Sequence, residues 1–100
     1  MHDLLIRGGT IVDGSGRSAF TGDVAIQGGR IVEVGRVQGA ARRILDADGL
    51  LVAPGFVDVH THYDGQATWD PLLTPSCWHG VTTAVMGNCG VGFAPMQRER

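Results

Sequence analysis

The chain has 100 residues, a formal net charge of −2, 43% hydrophobic residues and 16 glycines. That balance suits a turn-rich globular protein and excludes a disordered one, and with no basic cluster beyond Arg42-Arg43 it excludes a nucleic-acid-binding surface. No apolar run approaches the roughly 18 residues of a membrane span, and Met1 to Gly9 lacks the basic-then-apolar plan of a secretory leader, so a cytoplasmic protein without a membrane partner is expected.

Residues 1–53 read as strands and turns. Leu4-Leu5-Ile6-Arg7 and Thr10-Ile11-Val12 flank Gly8-Gly9, which predicts a hairpin, because paired glycines supply the positive φ of a tight primed turn. Asp13-Gly14-Ser15-Gly16 is a loop. The motif then recurs as Ile26-Gln27-Gly28-Gly29-Arg30-Ile31-Val32, predicting a second hairpin stacked with the first in a small sheet or sandwich. Gly-Gly could cradle a phosphate only if it opened a helix; strands follow here, so a plain turn is expected. Both faces of the second hairpin carry apolar side chains, as in a layer buried between partners. Gly35 to Ala41 is a loop, Arg42 to Asp46 a short strand, Asp48-Gly49 a turn, and Leu50 to Ala53 leads into Pro54-Gly55.

The chemistry begins at Pro54. Pro54-Gly55 followed by Phe56-Val57-Asp58-Val59-His60-Thr61-His62 predicts a turn and then a strand. Alternation puts Phe56, Asp58, His60 and His62 on one face, and two imidazoles at i and i+2 can share one metal ion. Tyr63 to Leu73 is a loop. In it Asp64 either borders a ligand or caps a turn. Thr74-Pro75 predicts the start of a short helix to His79, with Thr74 as its cap and Gly80 as its stop. Cys77 and Trp78 read as packing residues, and His79 as a structural residue at the helix end. Val81 to Met86 is a second strand, and Cys89 follows its end. Neighbouring parallel strands joined by a helix would bring His60, His62 and Cys89 together at one sheet edge, and imidazole with thiolate is a zinc-type donor set. Cys77 and Cys89 read as thiols or ligands rather than a disulfide.

The run from Asp46 to His62 resembles the approach to the metal site of the amidohydrolase superfamily. The run from Trp78 to Pro95 is similar, more narrowly, to N-acyl-D-amino-acid deacylases (D-aminoacylases): Asp-x-His-x-His is widely shared, whereas Gly87-Asn88-Cys89-Gly90 is not. The resemblance implies a β-sandwich part over residues 1–53, followed over 54–100 by strand 1, a short helix and strand 2 of a metal-dependent hydrolase (β/α)8 barrel. Such a barrel needs roughly 250 residues, so the chain is expected to be the opening of a larger α/β enzyme, inactive without the rest of the polypeptide. The resemblance further implies one or two zinc ions held by His60, His62 and Cys89. Dihydroorotases and hydantoinases use a carboxylated lysine where the deacylases use this cysteine, and all eight basic residues here are Arg. The implied reaction is hydrolysis of a linear amide C–N bond in a small N-acyl amino acid by zinc-activated water. The catalytic Asp and further His ligands are expected downstream. Asp58, on the ligand face but one step deeper, is expected to orient a His by hydrogen bond. Two other readings stand beside this one: a cyclic-amide hydrolase of the dihydroorotase or hydantoinase type, and a non-catalytic β-module complete at this length.

Overall fold

The computed structural model describes residues 1–88. The chain divides into two compact units, Met1–Pro54 and Gly55–Arg100. Among the described residues no helix is long and apolar enough to cross a membrane.

The first unit is a five-stranded mixed sheet: β1 (His2–Ile11), β2 (Phe20–Gln27), β3 (Arg30–Gly35), β4 (Ala41–Asp46) and β5 (Leu51–Val52). The order is β3-β2-β1-β4, and β5 also pairs with β1. β2 runs antiparallel to β1 and β3, while β4 and β5 run parallel to β1. The expected first hairpin does not form. β1 passes straight through Gly8-Gly9, and Arg7 and Gly8 together oppose Asp23, because the register runs from Ile6↔Val24 to Gly9↔Gly22. This is a β-bulge. Gly8 takes a φ of 70°, and its N–H, pushed out of the ladder, donates to Asp23 Oδ1 at 2.8 Å. Asp23 Oδ2 also accepts the N–H of Val37 at 3.2 Å. Gly9 is glycine for a different reason: a Cβ there would collide with Val52 Cγ2 and lie 3.1 Å from Ala47 Cβ. The second hairpin forms as expected. Gly28 and Gly29 have φ of 59° and 74°, and Gln27 pairs with Arg30 across them, the two-residue loop that a right-twisted ribbon favours.

The core of this unit is small. Leu5 and Ala25, opposite each other in the ladder, are fully buried and pack with Val37. Ile31, Val32 and Val34 on β3 stay exposed.

In the second unit, β6 (Phe56–Asp58) pairs in parallel with β7 (Val81–Ala84). Two glycines permit the close approach. A Cβ on Gly55 would strike the Thr82 side chain, and one on Gly80 would lie 3.3 Å from the Phe56 ring. Between the strands lie two 3-10 turns, Gln66–Thr68 and Ser76–His79. The expected helix after Thr74 is the second of these. It ends at Gly80 with a φ of 88°, as anticipated. Thr74 does not cap it: its hydroxyl donates instead to Asp70 Oδ2 at 3.0 Å. Cys77 and Trp78 are exposed rather than packed, Trp78 at 73%, because so short a turn buries no residue of its own.

Candidate functional site

β6 is shorter than its sequence pattern. Asp58 Oδ1 accepts the N–H of His60 at 3.2 Å, an Asx-type bond that competes with the ladder and bends the chain. His60 and His62 therefore follow the strand rather than sit on it. Strand alternation is not what aligns them, yet they come together: the ring centroids are 5.7 Å apart with planes inclined at 34°. With Asp58, Tyr63 and Gln66 they line an open cavity of about 360 Å³. Both rings are exposed to it.

The spacing suits a shared metal ion. A zinc about 2.0–2.1 Å from each imidazole nitrogen lies roughly 3.2 Å from each ring centre, so tetrahedral ligation asks for centroids roughly 5.2 Å apart. The observed 5.7 Å is close to that separation. Among the described residues no group of three or more His, Cys, Asp or Glu converges on a metal position. His60 and His62 are two donors, and Cys89 lies outside the described residues. Asp58 makes its bond to the His60 backbone, where the sequence suggested an imidazole.

Three bonds carry the seam between the strands past its last ladder pair, Asp58↔Ala84. The N–H of Val85 donates to Asp58 O at 2.8 Å. The Thr61 hydroxyl donates to Val85 O at 2.7 Å. Asn88 Nδ2 donates to Val59 O at 2.5 Å. Thr61 is buried, whereas the Asn88 bond is exposed.

The connecting loop is held by a residue the sequence reading passed over. Asp70 accepts from Gln66 Nε2 at 2.8 Å, from the N–H of Leu72 at 3.0 Å, and from Thr74 N–H and Oγ1 at 2.9 and 3.0 Å. These bonds, that of the Gln66 carboxamide first, hold its carboxyl down at about 2. The signal was Asp followed by Pro with Thr four residues on, a loop-closing pattern. Gln66 Nε2 also donates to Thr74 O at 2.6 Å, so both its N–H groups are spent within the loop. Tyr63 and Ser76 join hydroxyls at 2.6 Å beside it.

Asp64 is not at a loop surface. It is 3% exposed, and its Oδ1 has no hydrogen-bond partner among the described residues. Its Oδ2 lies 3.6 Å from where a Cβ on Gly87 would be.

The profile of the amidohydrolase family matches residues 43–99, which is more than half of the chain and includes both histidines. The chain belongs to the amidohydrolase family. It is 46% identical over 99 residues to N-acyl-D-aspartate deacylase of Alcaligenes xylosoxydans xylosoxydans, a match that covers 98% of this chain and 20% of that protein. The fold superposes on the crystal structure of a D-aminoacylase with a TM-score of 0.89 at 41% identity, covering 96% of this chain and 20% of that one. For N-acyl-D-glutamate deacylase of Bordetella bronchiseptica, solved with zinc and a phosphonate mimic of the tetrahedral intermediate, the TM-score is 0.86 at 43% identity, with 94% and 20% coverage. This amidohydrolase chain thus spans about one fifth of the length of the relatives it matches.

Proposed function

We propose that this amidohydrolase chain belongs to a zinc-dependent enzyme that cleaves the amide C–N bond of N-acyl-D-amino acids. The observation that carries the reading is the His60–His62 pair, held 5.7 Å apart at the end of a parallel strand pair whose second strand runs into Gly87-Asn88-Cys89-Gly90. The names of the relatives, deacylases of N-acyl-D-aspartate and N-acyl-D-glutamate, support the substrate class. In this reading β6 and β7 open a (β/α)8 barrel and β1–β5 form part of a sandwich. The parallel β6–β7 pairing and the exposed apolar residues of β3 support that assignment.

His60, His62 and Cys89 would hold the metal, as one ion or two, with Cys89 as thiolate. When bound, zinc supplies a nucleophile from water at neutral pH and polarises the acyl carbonyl. The chain's own residues shape what surrounds it. Asp58 fixes the His60 backbone. Gln66 has no N–H to spare, so toward a ligand it has only its carbonyl oxygen left, as an acceptor. A substrate amide N–H suits that acceptor. Hydrolysis breaks the C–N bond, delivers the water oxygen to the acyl carbon and returns a proton to the leaving amine. The carboxylate that carries this proton is assigned to the remainder of the polypeptide. A thiolate ligand calls for a reducing compartment, so we place the enzyme in the cytoplasm.

The test uses the complete protein. Zinc is counted, and N-acetyl-D-amino acids, their L-enantiomers and a hydantoin are offered. Release of the free D-amino acid is expected, and Cys89→Ala loses both that activity and tight zinc. Turnover of the cyclic amide alone, or full zinc retention in Cys89→Ala, overturns the reading.

A further inference from the structure

We propose that Thr61 and Asn88 are positioning residues, a reciprocal pair of side-chain clamps that sets the arm carrying Cys89 against the arm carrying His60 and His62. The inference rests on the metal reading above. Its basis is where the two bonds begin and end. Thr61 lies between the two histidines and donates across the seam to Val85 O at 2.7 Å, on the arm that leaves β7. Asn88 directly precedes Cys89 and donates the opposite way, to Val59 O at 2.5 Å, the carbonyl directly before His60. One Cα step is ~3.8 Å. Each end of the Asn88 bond is therefore a single step from a residue assigned to the metal.

Ordinary packing does not explain this placement. The ladder between β6 and β7 stops at Asp58↔Ala84, and the described residues of both arms beyond it are irregular. One backbone bond, from Val85 N–H to Asp58 O at 2.8 Å, continues the seam; beyond it the two described side-chain bonds are what fixes the register of the arms. The few residues that bridge the arms then decide whether imidazole and thiolate meet. A metal site tolerates only about 0.5 Å of error in that meeting. The chemistry of each clamp is also directional. A backbone carbonyl only accepts, so Asn88 must present its amide N–H and Thr61 its O–H. Asn88→Asp keeps the shape and replaces the donor by a second acceptor. Thr61→Val keeps the shape and removes the donor, while Thr61→Ser keeps it.

The test measures zinc affinity of the complete protein by chelator competition and the absorption spectrum of the Co2+-substituted protein, together with thermal unfolding of the metal-free forms. Partners that orient metal ligands typically control affinity by 10- to 100-fold. Asn88→Asp and Thr61→Val are each expected to weaken zinc binding by about that factor and to shift the Co2+–thiolate bands. Thr61→Ser restores both readouts. Asn88→Asp, whose bond is exposed, leaves the metal-free melting temperature at that of the parent, which separates positioning from folding. Parent-like zinc affinity and Co2+ spectra in Asn88→Asp and Thr61→Val overturn the inference and leave the metal reading intact. A parent protein that takes up no zinc overturns the metal reading, and the inference with it.

Discussion

Replacing Gly55 by Ala tests whether the closeness of β6 and β7 matters to the site. The new Cβ would lie 2.7 Å from Thr82 Cβ and nearer still to Thr82 Cγ2 and Oγ1. Non-bonded carbons settle at about 3.5–4.0 Å, so the strands must part by roughly 1 Å. A change of Thr82 rotamer relieves only the outer atoms, because the Cβ itself is in the way. The adjacent bond from Phe56 N–H to Gly80 O, now 2.8 Å, would stretch out of hydrogen-bonding range. Overpacking of this kind costs about 1–3 kcal/mol. A displacement of about 1 Å passed through β6 to His60, just past its end, can lower turnover by about 100-fold. The assay is thermal unfolding of the complete protein together with its rate on an N-acyl-D-amino acid, the substrate class proposed above. Thr82→Gly in the Gly55→Ala background should restore both, and Thr82→Ala should restore less, since it keeps the Cβ. The reasoning fails if Gly55→Ala melts and turns over like the parent, or if Thr82→Ala rescues as fully as Thr82→Gly.

Two further outcomes follow from the polar contacts. Asp70 has its carboxyl held at about 2, below the usual 3.8, so its ordering of the loop is complete above pH ~4 and is lost as pH falls through about 2; amide exchange at Leu72 and Thr74 should quicken over that window, and an Asp70 that titrates near 3.8 by NMR contradicts the bonding described. Asp23→Ala leaves the half-buried N–H groups of Gly8 and Val37 without their acceptor and should cost about 1–3 kcal/mol in a denaturant melt, whereas a parent-like midpoint would show that water replaces the carboxylate at no loss.

Local chemistry was legible wherever the chain needed only its neighbours. Gly28-Gly29 makes its turn because both glycines take positive φ between strands that pair with each other. Gly80 stops its helical turn for the same local reason. The two histidines of Asp-x-His-x-His announced themselves as a pair by spacing alone, and they are a pair in space.

The same local signals misled where a distant segment decided the outcome. Gly8-Gly9 matches Gly28-Gly29 letter for letter, yet β1 runs through it, because β4 and β5 lie parallel along one edge of that strand and Asp23 fills the bulge on the other. Parallel partners and a carboxylate arriving from a neighbouring strand leave no mark within a short window of sequence. The strand through His62 was cut at Asp58 by a carboxylate that bonds the backbone two residues on. Thr74 was drawn from its cap by Asp70. The burial of Asp64 could be known only from the folded chain. The sequence thus brought His60 and His62 forward as a pair of donors, since that follows from donor chemistry and spacing. Tertiary structure decided what holds them in place, since hydrogen-bond register between segments far apart in the chain is a property of the folded backbone alone.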